Sequence, residues 1–236
     1  TIQTSFGPIE IELNPVKAPE SVETFLAYVK EGFYEGTIFH RVINNFVVQG
    51  GGYTVDFNKK DIHPSIPNEA ANGLKNLRGT VALARSNDPH SANSQFFINV
   101  RDNKFLDYKS STTAGWGYCV FGKVVEGMEV VDKIAKTPTD SGGPFKRDVP
   151  QTAITIDAVK VEYVAPTDWV TAAGGSDKPA TEKKPTSEEK KKPEPSTADM
   201  QQDMLDMDLE EEGKSPAAKD KSGSASSSKP AGDKSP

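Results

Sequence analysis

Phe39-His40-Arg41-Val42-Ile43, closed by Asn44-Asn45 and followed by Phe46-Val47-Val48-Gln49-Gly50-Gly51-Gly52, places an arginine and a glutamine on strands otherwise built of apolar residues. Side chains alternate faces along a strand, so Phe39, Arg41 and Ile43 are expected on one face and His40 and Val42 on the other. Asparagine tolerates the left-handed backbone of tight turns, which makes Asn44-Asn45 the turn of a hairpin. Across that hairpin Arg41 and Gln49 face each other, a polar pair fixed beside apolar surface. Two strands of this kind build the wall of a pocket.

Outward from the hairpin, the chain reads as short strands with two helices. Ile2-Gln3-Thr4 and Ile9 to Leu13 alternate around Gly7-Pro8, the expected turn of an opening hairpin. Between Pro19 and Glu31, Val22, Phe25, Leu26 and Val29 recur at helical spacing, with Gly32 placed to end the helix. A second helix is expected from Gly127 to Lys136, its apolar face made by Met128, Val131, Ile134 and Ala135. Further strands fit Gly79 to Ala84, Gln95 to Val100, Tyr118 to Val124 and Ala153 to Val164. The last of these changes apolar parity after Ala158, which predicts a bulge or strong bend. About eight short strands with so few helices favour a barrel over a sandwich, because closure removes exposed edges.

Composition divides the chain near Ala165. All 11 phenylalanines and all 6 tyrosines precede that residue, and Trp169 is the only aromatic residue after it. Residues 1–164 therefore hold the material of one globular domain, whereas 165–236 cannot bury enough apolar surface to offset the entropy of ordering and are expected to be a disordered tail. In that tail, Lys178 to Pro195 is a Lys/Glu/Pro-rich linker and Gly213 to Pro236 a Ser/Lys/Pro/Ala-rich end. Between them the acidic stretch Asp199 to Glu212 carries Met200, Met204, Leu205, Met207 and Leu209 on two faces rather than one, which reads as a solvated tail more than a partner helix. The single cysteine, Cys119, excludes an intrachain disulfide and reads as a small buried strand residue. No apolar run is long enough for a membrane helix and no signal sequence opens the chain, so a cytoplasmic protein is expected, or an exported one if Thr1 follows removal of a signal. A monomer is expected.

The motifs Phe39 to Gly52, Ser94-Gln95-Phe96-Phe97-Ile98-Asn99, Phe105-Leu106-Asp107 and Tyr118-Cys119-Val120-Phe121-Gly122-Lys123-Val124, in this order over residues 1–164, resemble the cyclophilins, peptidyl-prolyl cis-trans isomerases, and the bacterial single-domain branch most closely. The resemblance implies a closed eight-stranded antiparallel β-barrel capped by two α-helices. It implies Arg41 as the catalytic guanidinium, Gln49 as a donor to the substrate backbone, and Phe46, Val47, Phe97, Leu106 and Tyr118 as the lining of a proline pocket, with Ala84 beside the residue preceding proline. It implies proline-containing peptides and unfolded or flexible protein segments as partners, and no cofactor. Phe105 and Tyr118 stand where the best-known eukaryotic members have tryptophan and histidine. Losing the indole donor at Phe105 predicts weak cyclosporin binding.

Read without the resemblance, Arg41 fits a barrel-end salt bridge as well as a catalytic group, and Phe46, Phe97 and Leu106 fit ordinary core. His40, His63 and His90 share no metal-ligand spacing, and no hydrolase elbow is present. His40, opposite Arg41, reads as a hydrogen-bonded core histidine. Gly50-Gly51-Gly52 lacks the Lys-Ser/Thr of a phosphate loop and reads as close backbone packing. The net charge of −6 and the absence of a basic stripe argue against nucleic-acid binding. Two functions compete: a folding isomerase, and a non-catalytic module that holds proline peptides in the same groove. A holdase role can accompany the first. Arg41 discriminates, since holding a ring needs only an apolar pocket whereas lowering a barrier needs a donor.

Overall fold

The structure is a computed structural model that describes residues 1–171. The chain runs β1 (Ile2–Thr4), β2 (Gly7–Leu13), α1 (Pro19–Lys30), β3 (Thr37–Ile38), β4 (Arg41–Ile43), β5 (Val47–Gly50), β6 (Thr80–Leu83), β7 (Phe96–Asn99), β8 (Val120–Glu126), α2 (Met128–Ala135), β9 (Thr139–Gly142), β10 (Phe145–Pro150), β11 (Thr155–Val159) and α3 (Asp168–Thr171). The main sheet has nine elements in the order β3-β11-β1-β2-β8-β6-β7-β5-β4, with every printed pairing antiparallel. Its two ends, β3 and β4, are parts of one chain segment separated only by Phe39 and His40. The sheet therefore begins and ends on the same strand. It is an eight-stranded closed barrel, as the sequence led us to expect.

Alternation assigns the two faces. Val48, Val81, Leu83, Phe96, Ile98, Cys119 and Phe121 point into the barrel and join Val22 and Phe25 of α1 and Val131 and Ile134 of α2 in the main core. Their sequence neighbours Val47, Ala82, Ala84, Phe97 and Val120 point outward into a second apolar cluster with Phe46, Leu74, Leu106 and Tyr118. The helices end where glycine or a polar cap allows, Gly32 taking φ 66° after α1. Cys119 is buried in strand surroundings and its thiol is pushed up to about 12, chiefly by burial, so it is an inert core residue.

Several local readings need correction. The first turn is Ser5-Phe6, because Thr4 pairs with Gly7 and Gly7-Pro8 already belong to β2. Phe39 does not share Arg41's face. It packs in the barrel core beside Val42, because the chain bends between β3 and β4 and the period of two breaks there. The last strand stops at Val159 rather than Val164, although the predicted bulge is present: Gln3 pairs with Ala158 and Thr4 with Ile156, which leaves Asp157 as the extra residue. The β9–β10 hairpin was missed.

The barrel's contacts also continue past the expected domain boundary at Ala165. Thr167 binds Glu12 through its N–H (3.1 Å) and its hydroxyl (2.9 Å). The Trp169 carbonyl accepts from Asn14 (3.2 Å), its ring lies under the Lys123 ammonium and against the outer apolar cluster, and Val170 is buried. The tail expected further on, including the Lys178 to Pro195 linker and the acidic stretch, lies outside the described residues.

Candidate active site on the outer face of the barrel

The pairing of β4 with β5 sets Arg41 opposite Gln49 and Ile43 opposite Val47. Asn45 makes the turn possible by adopting φ 59°. Arg41 is 1% exposed, and its Nη1 donates to Gln49 Oε1 at 3.2 Å. Gln49 Nε2 in turn donates to Gln95 Oε1 at 3.1 Å. This chain of guanidinium and two amides runs beside the outer cluster, where Gln49 pairs across the sheet with Phe97. The close approach of Gln95 explains part of the glycine run: a Cβ on Gly52 would stand 2.7 Å from Gln95 Cγ.

Every expected pocket residue comes together. Phe46, Val47, Ala84, Phe97, Leu106 and Tyr118 form one buried cluster, with Phe105 packed against it. Phe105 stacks on Phe46 (5.7 Å, 24°), and Tyr118 meets Phe97 nearly edge-on (5.6 Å, 75°). These residues arrive from β5 and the turn before it, the residue after β6, β7, the helical turn Lys104–Leu106 and the segment entering β8, so no continuous stretch of sequence holds the site.

Their backbone is fixed from below by asparagines with no exposed surface. Asn103 Nδ2 donates to the Phe46 carbonyl (3.1 Å) and to Asn99 Oδ1 (2.8 Å). Asn99 Nδ2 donates to Asn76 Oδ1 (3.2 Å), and Asn76 Nδ2 to the carbonyls of Leu106 (3.1 Å) and Tyr118 (3.3 Å). Three pocket residues thus hang on one satisfied polar network, which defines their positions more narrowly than apolar packing alone would. Sequence reading gave no role to these asparagines or to Gln95. A polar residue inside an apolar strand run, as in Gln95-Phe96-Phe97-Ile98-Asn99, was the available signal.

The histidines stand apart from this chemistry. His40 is buried on the side away from the cluster, between Tyr53 (4.9 Å) and Phe145 (5.2 Å). The expected hydrogen bonds are missing: neither ring nitrogen has a partner with hydrogen-bond geometry, although the Ile38 backbone lies close enough to oppose the shift slightly. Burial first, and then the Arg41 charge, lower its pKa to about 3, so it is neutral. His63 pairs with Glu31 (3.0 Å) and stacks on Tyr28, and His90 Nδ1 accepts from the Asn68 N–H. Among the described residues, no group of three or more His, Cys, Asp or Glu side chains could hold a metal.

What the arrangement offers is a rigid apolar wall with a fixed guanidinium and directed amides beside it. The chain is similar to known proteins. The family model described as "Cyclophilin type peptidyl-prolyl cis-trans isomerase/CLD" matches residues 1–161. A peptidyl-prolyl cis-trans isomerase of Streptomyces antibioticus is 54% identical over 160 residues, covering 68% of this chain and 96% of that protein. Peptidyl-prolyl cis-trans isomerase B of Escherichia coli K12 is 52% identical over 161 residues, covering 68% and 98%. Among solved structures, a Cryptosporidium parvum cyclophilin type peptidyl-prolyl cis-trans isomerase in the presence of the dipeptide Ala-Pro matches with a TM-score of 0.56 at 26% identity, over 69% of this chain and 98% of that one.

Proposed function

We propose, for a chain that belongs to the cyclophilin-type peptidyl-prolyl cis-trans isomerases, that its isomerase activity runs on Arg41 and Gln49 acting over the outer apolar cluster, on Xaa-Pro bonds in unfolded or flexible protein segments. Amide rotation has a barrier of about 18–20 kcal/mol because the C–N bond is partly double. At the twisted midpoint that character is lost and the proline nitrogen regains a lone pair. A guanidinium is always charged and presents its donors in a fixed plane, so it can stabilise that lone pair without first reorganising. Phe46, Phe97, Leu106 and Tyr118 grip the proline ring, Val47 and Phe105 flank it, and Ala84 lies beside the residue before proline. An amide nitrogen carries two N–H donors. One from Gln49 is committed to Gln95, and the other serves a substrate carbonyl.

The observation that carries this reading is a buried arginine tied to an amide pair at the edge of an apolar cluster built from six separate chain segments. Such a guanidinium acts through low dielectric, where its field on a bound group is strongest. Titrating an Ala-Pro peptide into the labelled protein and following amide and methyl NMR shifts tests the placement. The largest shifts are expected at Gln49, Phe97, Leu106 and Tyr118. Shifts centred on the β9–β10 hairpin, with these residues unmoved, would overturn it.

A further inference from the structure

We propose that Arg85 is a positioning residue for the isomerase site, which locks the Tyr118 ring in place as a wall of the proline pocket. The proposal rests on the reading of the outer cluster given above. Arg85 follows Ala84 at the end of β6 and is 7% exposed, an unusual degree of burial for a charged side chain. Its guanidinium carbon lies 4.6 Å from the centroid of the Tyr118 ring, face on. In the same position its Nε donates to the Gly117 carbonyl at 2.9 Å, and its Nη1 folds back to donate to the Ser86 carbonyl at 2.8 Å. One side chain therefore holds two consecutive residues, the backbone of 117 and the ring of 118. Among the described residues no carboxylate pairs with it, so the charge is used on carbonyl dipoles and a ring face.

The geometry around it shows why a clamp is needed there. Gly117 sits at φ 65°, and a Cβ on it would come 2.5 Å from the Leu106 carbonyl, so the chain makes a tight, side-chain-free approach to the segment carrying Leu106. Tyr118 must emerge from that approach with its ring against Phe97, while its N–H donates to the Leu106 carbonyl at 2.9 Å. Asn68 Nδ2 also donates to the Gly117 carbonyl, at 3.3 Å. The arginine ties the backbone and the aromatic face together. A planar fork suits both tasks at once, which an ammonium does not.

A wall residue binds the proline ring alike in the ground state and in the twisted state, so loosening it should raise KM and leave kcat nearly unchanged. Arg85→Ala is expected to raise KM for a proline peptide roughly five- to tenfold, with kcat within about twofold of the unmodified enzyme. Arg85→Lys, which can keep a cation over the ring but cannot fork onto Gly117, should fall between. The decisive measurement is a double-mutant cycle with Tyr118→Ala: once the ring is gone, Arg85→Ala should add less than about twofold to KM. If the Ala variant does not fold, the cycle is run with Arg85→Lys, which keeps charge and length. An unchanged KM in the single variant, or a full effect persisting without the Tyr118 ring, would overturn the proposal. Arg41→Ala in the same assay separates the two readings. If it turned over at the unmodified rate, the catalytic assignment would fail; if only the Arg85 effects were absent, the clamp alone would fail.

Discussion

Inside the barrel, Phe96 packs nearly edge-on against Phe25, Tyr34 and Phe39; one residue later on the same strand, Phe97 points outward and meets Tyr118 beside Gln49. Both rings have no exposed surface. Burial does not tell a core residue from a site residue here, and neither does residue type. The difference lies in the neighbours. The inner ring is enclosed by other apolar side chains from strands and helices, whereas the outer cluster is bordered by two arginines, joined to Gln95 through Gln49, and pinned by buried asparagines. A polar network this close to apolar surface is costly unless satisfied, and its presence sets the outer face apart from the closed core.

The comparison breaks if the two rings behave alike on truncation. Phe96→Ala should destabilise the fold by about 3–5 kcal/mol, the usual cost of an aromatic cavity in a closed core. Phe97→Ala should cost less stability, because its cluster faces outward and can relax, but should raise KM strongly. Urea unfolding and peptide kinetics on both variants measure this. Equal stability losses with equal kinetics would erase the distinction between faces.

Adjacent residues on β4 and its approach sharpen the same contrast electrostatically. Arg41 keeps its charge toward the site, while His40 is held neutral on the other side. Its folded pKa, about 3, lies below the ordinary 6.5. In that window the unfolded chain takes up a proton that the folded chain does not, so stability falls as pH drops below about 6.5, approaching about 1.4 kcal/mol per pH unit, and the loss levels off near the folded value. His40→Phe should remove this part of the slope between about pH 6 and 5, before most carboxylates titrate. An unaltered slope would mean that His40 is not buried neutral.

Much of this was legible in sequence, and the failures have physical causes. The Arg41–Gln49 register followed from strand period and the asparagine turn, and both helices from apolar spacing and their glycine ends. Phe39 was misplaced because a barrel closed on one bent segment breaks the period at the bend. Strand β9, Thr139–Gly142, carries no apolar alternation, so nothing in it signalled a strand. Asn99 carried a signal as a polar end to an apolar strand run, but Asn76 and Asn103 did not, because the carbonyls they hold are distant in sequence. Trp169 did carry a signal: a lone aromatic in a polar stretch, followed by a valine, is more than a solvated tail needs.

Smaller effects are expected at the edges of the outer cluster. Phe105 offers a stacked ring where the family's drug-binding members offer an indole N–H. Phe105→Trp should therefore tighten cyclosporin binding by about 1–3 kcal/mol, roughly ten- to a hundredfold or more, in titration calorimetry. No gain would show that the donor is not what is missing. At the far side, ending the chain after Val164 removes the Thr167–Glu12 hydrogen bonds, the Trp169 contacts and buried Val170, and should lower Tm by about 3–6 °C. Ending it after Thr171 should leave Tm unchanged. Equal Tm for the two truncations would show that α3 adds nothing to the barrel.

The central claim is that the buried guanidinium beside the outer cluster lowers the rotational barrier while the apolar rings do the holding. Line-shape NMR on one proline peptide reads affinity and exchange rate in the same sample. Arg41→Ala should slow catalysed exchange by about 10²–10³, the usual effect of removing one preorganised donor. Arg41→Lys should be nearly as slow, because a hydrated ammonium on a flexible stem does not reproduce the fixed fork. In both variants peptide affinity should change far less than exchange. Exchange at the unmodified rate in Arg41→Ala would contradict the account.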